Sequence, residues 1–343
     1  VQHLGKWFIG KMMNYKFGII GYGKMGKIRH QAINELKVGE VVAISEPSIS
    51  SAPNNIYLGT HDEILNNSNI DAIFICTPNF LNKDLTIRAL QSGKHVFCEK
   101  PPCFTGPEMD EILQIEGMNK HLKLMYGFNH RHHDSIIRMK DVVDKKSMGR
   151  VLWMRGRYGK SVEKEFYEDW RSKKELSGGG ILIDQGIHML DLFLFLVGEF
   201  DQIKADVTNS FWNLDVEDNA FVILKNSKNK MSASMHSTMT QWRHLFSLEV
   251  FLEKGHMILN GLITTSMAYG EEILSVSVNS STSPEVGFSD EVLTKYTDNN
   301  SWRHEVTHFV NAINEDKPIS IGNSSDALQL MNVIDKIYEQ KDF

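Results

Sequence analysis

The 343 residues make room for about two domains, and 41% hydrophobic with 23% charged residues is an ordinary make-up for a globular protein. A net charge of −6 gives no electrostatic reason to expect a nucleic acid or an anionic membrane surface as partner. Three cysteines (Cys76, Cys98, Cys103) are too few for a disulfide framework and lack metal-type pairing, so they read as buried, reduced thiols of a cytoplasmic protein.

Residues 1–14 read as a ragged or disordered leader, with Met12 or Met13 a plausible alternative start. Their apolar run, Trp7-Phe8-Ile9-Gly10, is too short for a signal core, and no later stretch approaches the ~18 apolar residues of a membrane span. The first strand, Phe17–Ile20, runs into Gly21-Tyr22-Gly23-Lys24-Met25-Gly26 and then a helix to Leu36. That is the G-x-G-x-x-G turn in its proper strand–turn–helix context. The first glycine permits the turn, the second lets a pyrophosphate reach the backbone, and the third lets helix and strand pack closely. The phosphates then meet the helix N-terminus, backbone of Lys24 and Met25 included. A second strand, Val41–Ile44, leads to Glu46, 20 residues beyond Gly26, where a carboxylate accepts hydrogen bonds from a ribose diol and repels a 2′-phosphate. The cofactor expected is NAD rather than NADP.

Strands and helices keep alternating: a short helix near Asp62–Asn67, the apolar strand Asp71–Cys76, a break at Thr77-Pro78-Asn79, a helix Leu85–Gln91, the strand His95–Cys98, a helix from Pro107 to about Asn119, and a strand Leu122–Tyr126. That rhythm predicts a parallel sheet covered by helices. It changes near residue 130. A helix to about Lys146 and a strand Val151–Tyr158 precede Gly178–Gly180 and a long apolar helix, Ile181–Val197. Strand candidates follow without intervening helices: Gln202–Asn209, Ala220–Leu224, Met231–Ser237, Leu245–Leu252 and His256–Leu259. They predict a largely antiparallel sheet, with Phe246, Leu248, Val250 and Leu252 on its covered face. Ser277–Pro284 reads as a polar loop, and helices Trp302–Asn314 and Ser325–Glu339 close the chain.

Three constellations offer chemistry. Glu99-Lys100-Pro101 follows a strand end, beyond which doubly wound sheets bind ligands. There Lys100 either hydrogen-bonds a substrate hydroxyl and steadies the alkoxide, or is a surface lysine paired with Glu99. Asp184, His188 and Asp191 share one face of the long helix. They are either a carboxylate-oriented base for an alcohol proton or a helix-stabilising pair facing solvent. Asn129-His130-Arg131-His132-His133 has no ligand spacing of a known metal site and reads as a solvated helix start, with no metal expected. Trp170-Arg171, Arg155, Arg157 and Tyr158 suit either a charged or stacked sugar nucleotide, or sheet surface and subunit interface.

The glycine turn, Thr77-Pro78-Asn79, Glu99-Lys100-Pro101 and Gly178-Gly179-Gly180-x-x-x-Asp184-x-Gly186-x-His188 occur in one order, followed by Trp302–Val306 and Lys317-Pro318. As an ordered set they resemble the glucose–fructose oxidoreductase/inositol dehydrogenase (Gfo/Idh/MocA) family from about Tyr15 to Tyr338. The resemblance implies a Rossmann domain over 15–131 and an α/β domain with an open, mainly antiparallel sheet over 132–343. It implies hydride transfer between a nicotinamide cofactor and a carbinol carbon of a sugar, polyol or nucleotide sugar. Alternatives on the same scaffold are elimination or glycosidic cleavage through transient oxidation, or a non-catalytic NAD-responsive binding protein. By motif, Lys100, Asp184 and His188 match the catalytic set, with His188 the acid/base. Gly21, Gly23, Gly26, Glu46, Thr77, Pro78, Asn79, Glu99 and Lys100 fall to the cofactor. Asn129, Arg131, Asp184 and His188 fall to the substrate, and Trp170 and Arg171, read from their residue types rather than from a motif, are candidates beside them. A homodimer or homotetramer through the open sheet is the family expectation. One position departs from the pattern: many relatives carry a histidine three residues after the Thr-Pro-Asn triplet, and here it is Asn82.

Overall fold

The computed structural model describes residues 14–53, 56–279 and 287–340; the expected leader, apart from Asn14, lies outside them. The chain divides into two compact units. One takes the described residues of Val1–His132 with Asn300–Met331, the other those of His133–Asn299 with Asn332–Phe343.

In the first unit, β1 (Tyr15–Ile20), β2 (Gly39–Ser45), β3 (Tyr57–Leu58), β4 (Ala72–Ile75), β5 (His95–Glu99) and β6 (Leu124–Gly127) form a six-stranded sheet in the order β3-β2-β1-β4-β5-β6. Every pairing is parallel. That is the doubly wound order, reversing between β1 and β4, where such sheets take a ligand at their carboxyl ends. Every residue of β4 is buried, so the continuous apolar run in its sequence follows from burial on both faces. The covering helices are α1 (Lys24–Leu36), α2 (His61–Leu65), α3 (Asn82–Gln91) and α4 (Gly106–Met118). Thr60 caps α2 in a capping box with Glu63, and Thr105 caps α4, which carries proline in its first turn. Across the sheet Phe17 packs on Phe74 at 5.6 Å and Phe74 on Phe97 at 5.1 Å, and Phe74 and Phe97 meet Phe309 of a late helix, α8 (Ser301–Asn314), at centroid distances of 5.7 and 5.8 Å. The closing part of the chain, expected to belong to the second domain, thus supplies core to the first unit.

The second unit holds an eight-stranded sheet in the order β14-β13-β12-β11-β7-β10-β9-β8. Its strands are β7 (Val151–Ser161), β8 (Gln202–Thr208), β9 (Asn219–Asn226), β10 (Met231–Thr238), β11 (Thr240–Leu252), β12 (Gly255–Asn260), β13 (Glu272–Val278) and β14 (Val292–Tyr296). Pairings are antiparallel except β7 with β10. The expected loop at Ser277–Pro284 is corrected: Ser277 and Val278 end β13, and residues 280–284 lie outside the described residues. Helix α5 (Asp134–Asp144), the short α6 (Lys174–Ser177) and α7 (Ile187–Val197) belong to this unit. The last helix, α9 (Ser324–Tyr338), enters it at Asn332. Helix α7 lies so near β7 that a Cβ on Gly156 would stand 2.4 Å from Met189 Sδ, so the strand needs glycine there. The run Lys174–Val197 is long and apolar enough to cross a membrane, and 83% of its most apolar window is buried inside the fold.

The histidine run corrects an expectation. His130, Arg131, His132 and His133 are all buried rather than solvated. In the first unit His132 packs 5.9 Å from His308, whose Nε2 lies 3.3 Å from the Ser320 N–H it accepts. Burial pushes His308 down to about 4 and His132 well below the ordinary imidazole range. Unfolded, such histidines protonate near pH 6.5. Between that pH and about 4 the unfolded chain therefore holds more protons, and stability falls as the pH falls. In urea unfolding at pH 7.5 and 5.0, the wild type should lose roughly 1–2 kcal/mol more than His308→Gln, whose amide oxygen still accepts from Ser320. Equal losses would remove His308 from the acid response.

Candidate functional site

The glycine turn has the space its chemistry requires. Gly21 sits at φ +89°, and a Cβ there would lie 2.5 Å from the Cys76 carbonyl oxygen. A Cβ on Gly26 would lie 2.1 Å from the Gly21 carbonyl oxygen, whereas one on Gly23 would meet nothing within 4 Å. Two glycines are thus demanded by packing, and Gly23 leaves open room. It is also the N-cap of α1, with no side-chain cap and no acidic residue in the first turn, so the Lys24 and Met25 end of the helix presents its N–H groups and positive dipole. Glu46, just past β2, accepts from the Tyr22 N–H at 3.0 Å and from the Ser48 hydroxyl at 2.8 Å. Its carboxylate is tied to the turn itself. An open cradle, an uncapped helix start and a carboxylate at its rim fit a dinucleotide.

The loop after β5 is held from below. Asn82, fully buried at the start of α3, donates to the Pro101 carbonyl at 2.7 Å and the Glu99 carbonyl at 3.3 Å, on either side of Lys100. Its oxygen accepts from the Thr77 hydroxyl at 3.0 Å. The one residue that departs from the family pattern therefore fastens the Thr77-Pro78-Asn79 loop to the Lys100 loop. Pro78 caps a single 3₁₀ turn that begins at the buried Asn79. Glu99 faces inward: Arg29 reaches its Oε1 through Nε at 2.8 Å and Nη2 at 2.6 Å. Arg29 also reaches Glu305 through Nη1 at 2.6 Å. Lys100 is half-buried, and the peptide joining it to Pro101 is cis.

In the second unit the Gly-rich break has a structural reason. A Cβ on Gly180 would lie 2.0 Å from the Glu217 carbonyl oxygen. The buried Glu217 carboxylate accepts from the Gly180 N–H at 2.8 Å, the Leu182 N–H at 3.1 Å and the Tyr338 hydroxyl at 2.8 Å. It supplies the charge-assisted cap that the orphan N–H groups of a helix start need. The first turn, Leu182–Gly186, is π rather than α, so Asp184 and His188 are not in simple α register. A π turn inside a helix often marks a functional position.

Alternation along β7 places Met154, Gly156, Tyr158 and Lys160 on the face toward α7. Lys160 Nζ pairs with the Asp184 carboxylate. The buried His188 ring is 6.3 Å from Tyr158, and Tyr158 is 5.1 Å from Tyr269. Gln185 donates to the Tyr269 hydroxyl at 2.5 Å, and His244 lies 5.2 Å from the Tyr269 ring. Burial pushes the Tyr269 phenol up to about 12 and the Tyr158 phenol well above its ordinary value, so both stay protonated at neutral pH. Burial, then Lys160, pushes His244 down. Sequence reading missed Lys160, Gln185, His244 and Tyr269. A lysine in phase with the buried positions of β7 was the available signal for Lys160.

The other expected site residues have contacts of their own. Arg131 is buried in a 2.7 Å ion pair with Asp326. Asn129 lies 3.5 Å from the Ser301 hydroxyl and 3.1 Å from His130. Arg171 stacks 4.3 Å over Trp170 and pairs with Asp169. Arg155 is on the opposite face of β7 and donates three hydrogen bonds to Glu249, from Nε at 3.1 Å and from Nη2 at 2.8 Å to each oxygen. Among the described residues no cluster of histidine, cysteine and carboxylate could hold a metal ion.

Comparison with known proteins matches this architecture. A family model described as an oxidoreductase family with an NAD-binding Rossmann fold covers residues 15–128, and one described as the GFO/IDH/MocA C-terminal domain covers 136–258. Inositol 2-dehydrogenase of Rhizobium meliloti is 25% identical over 94% of this chain and 96% of its own length. Levoglucosan dehydrogenase of Pseudarthrobacter phenanthrenivorans is 30% identical across 57% of this chain and 54% of its own. A solved levoglucosan dehydrogenase complexed with NADH and levoglucosan superposes with a TM-score of 0.81 at 22% identity, covering 96% of this chain and 97% of that one, which establishes the fold. The chain belongs to the GFO/IDH/MocA oxidoreductase family.

Proposed function

We propose that the protein is a dehydrogenase passing hydride between NAD and a carbinol carbon of a sugar or polyol, nucleotide sugars included. The observation that carries this reading is that one chain holds both an open cradle at Gly23, in the first unit, and a half-enclosed cluster of Lys160, Asp184 and His188, in the second. NAD, when bound, supplies the hydride acceptor. Gly21, Gly23 and Gly26 with the Lys24 and Met25 backbone would hold its phosphates, Glu46 its ribose, and the Thr77-Pro78-Asn79 and Lys100 loops the nicotinamide end. Glu99 supports the site through Arg29 rather than by touching the cofactor.

The chain's own groups divide the remaining work. His188 takes the hydroxyl proton on oxidation and returns it on reduction. Asp184, fixed by Lys160, orients substrate hydroxyls beside it, and Tyr158 and Tyr269 donate hydrogen bonds without becoming charged. Lys100 steadies the developing alkoxide. Among the described residues Cys76, Cys98 and Cys103 form no disulfide, which suits a reducing, cytoplasmic setting. The sheet face bearing Trp153 stacked on Phe251 and Phe221 stacked on His236 is assigned to a second copy of the chain.

Thermal denaturation with each cofactor, then NADH absorbance over a panel of polyols, sugars and nucleotide sugars, tests the reading. NAD at ~100 times its Kd should stabilise the protein by about 2.7 kcal/mol. NADP should do less, and Glu46→Ala should narrow the difference. Equal stabilisation of wild type by both cofactors would remove the role given to Glu46; no NADH from any alcohol would remove the dehydrogenase reading.

A further inference from the structure

We propose that Phe211, Trp212 and Trp242 form a stacking subsite for a second sugar ring, so that the preferred substrates are glycosides rather than free monosaccharides. The proposal rests on the dehydrogenase reading above and sharpens its substrate class. The three rings pack edge to face at 5.2–6.2 Å, yet Phe211 is 60% and Trp242 62% exposed. Large apolar groups left in water on a mobile loop would be unremarkable; these sit on a built one. Asp218, fully buried, accepts from three successive N–H groups, Ser210 at 2.9 Å, Phe211 at 2.7 Å and Trp212 at 2.8 Å. Trp212 Nε1 donates to the Met239 carbonyl at 2.9 Å. The rings are held ready without a ligand, which lowers the ordering cost of binding.

Their place follows from a continuous set of contacts. The Lys160 ammonium, which pairs with Asp184, lies 5.7 Å from the Phe166 ring. The neighbouring Tyr167 donates from its hydroxyl to the Trp212 carbonyl at 2.6 Å. Trp242 comes from the irregular stretch of β11 between Thr240 and Leu245, the stretch that also carries His244 to Tyr269. The rings are thereby linked to Lys160, and through it to Asp184, within one unit, Thr240 lying opposite Ser161 next to that lysine. A pyranose presents one face of C–H groups, weakly positive, which suits the negative face of an aromatic ring. A second copy of the chain fits less well: three partly exposed rings offer at most a few hundred Å², below the ~800 Å² a side of a stable interface.

The test uses the full chain with NAD. Initial rates are measured with myo-inositol, D-glucose, methyl β-D-glucoside, cellobiose and maltose for wild type, Trp242→Ala and Phe211→Ala. Cellobiose binding to the NAD-loaded proteins is measured in parallel by calorimetry. Each substitution should raise KM for the disaccharides roughly threefold to tenfold and leave the monocyclic substrates unchanged. If no alcohol is oxidised but cellobiose binds with a Trp242-dependent Kd, the subsite stands and the dehydrogenase reading falls. Equal KM changes for all substrates, no effect on cellobiose, or a loss of oligomer in sedimentation without a substrate effect would each overturn the subsite.

Discussion

His188→Ala is expected to lower the turnover number for alcohol oxidation by roughly 10²–10⁴ while leaving NAD binding intact. The ring is buried at the start of α7, two residues beyond the π turn, and its neighbours do not compete for the base role. Tyr158 and Tyr269 hold their protons too tightly, and Asp184 is engaged by Lys160. Removing the imidazole leaves the hydroxyl proton to water, so the variant's rate should rise with pH across a range where the wild type has levelled. That pH profile separates a lost base from a loosened helix, which would lower activity evenly. His188→Asn, which keeps polarity and approximate size, should be as impaired as alanine. Full turnover by either variant on a confirmed substrate would end the assignment. Lys160→Met should act differently, raising KM more than it lowers kcat, because it frees Asp184 without removing the base.

How much of this was legible depends on how local the requirement is. The phosphate turn was readable because each glycine answers a constraint set within a few residues: Gly21 by its positive φ, Gly26 by its approach to the Gly21 carbonyl. The parallel strands were readable because burial on both faces writes a continuous apolar run, as in Ala72–Ile75. Strands β13 and β14 were not. The first alternates Leu274, Val276 and Val278 with serines, but Ser275 and Ser277 are buried while Val278 is exposed, and the second is almost wholly exposed, so in neither does an apolar stripe mark the buried face. The histidine run misled for a related reason. Five polar residues in a row look solvated, and what permits their burial is remote: Asp326 for Arg131 and, in the other unit, Glu272 for His133 at 3.0 Å. Half of the cluster around Asp184 and His188 stayed hidden likewise. Tyr269 reaches Gln185 from a loop 84 residues away, and no pattern within a window of helix or strand length encodes that contact.

Arg29→Met is expected to cost the protein about 3–5 kcal/mol, the largest stability effect of any single substitution considered. Arg29 and Glu305 are completely buried and Glu99 nearly so. Burial alone works against the guanidinium charge, but Glu305 and Glu99 more than offset it and hold its pKa above the ordinary value. Its plane also lies 4.3 Å over Phe97, so the site is shaped for a flat cation. Removing the cation takes the opposite charge from two buried carboxylates, which is worse than never having had the triad. The triple variant Arg29→Met, Glu99→Gln, Glu305→Gln should therefore be more stable than Arg29→Met alone. Arg29→Lys should fall between, because a single ammonium cannot reach both carboxylates with the fork that Nε, Nη1 and Nη2 provide. The pH dependence gives an independent check. In Arg29→Met the stranded carboxylates take up protons more readily in the folded state, so its deficit against wild type should shrink as the pH is lowered. A deficit that stays constant with pH would mean that lost packing on Phe97, rather than lost charge, is what the substitution measures. Because Glu99 immediately precedes Lys100, the same substitution should also loosen the loop that Asn82 fastens. Under conditions where the variant is still folded, its KM for NAD should rise; an unchanged KM would confine Arg29 to the stability of the first unit.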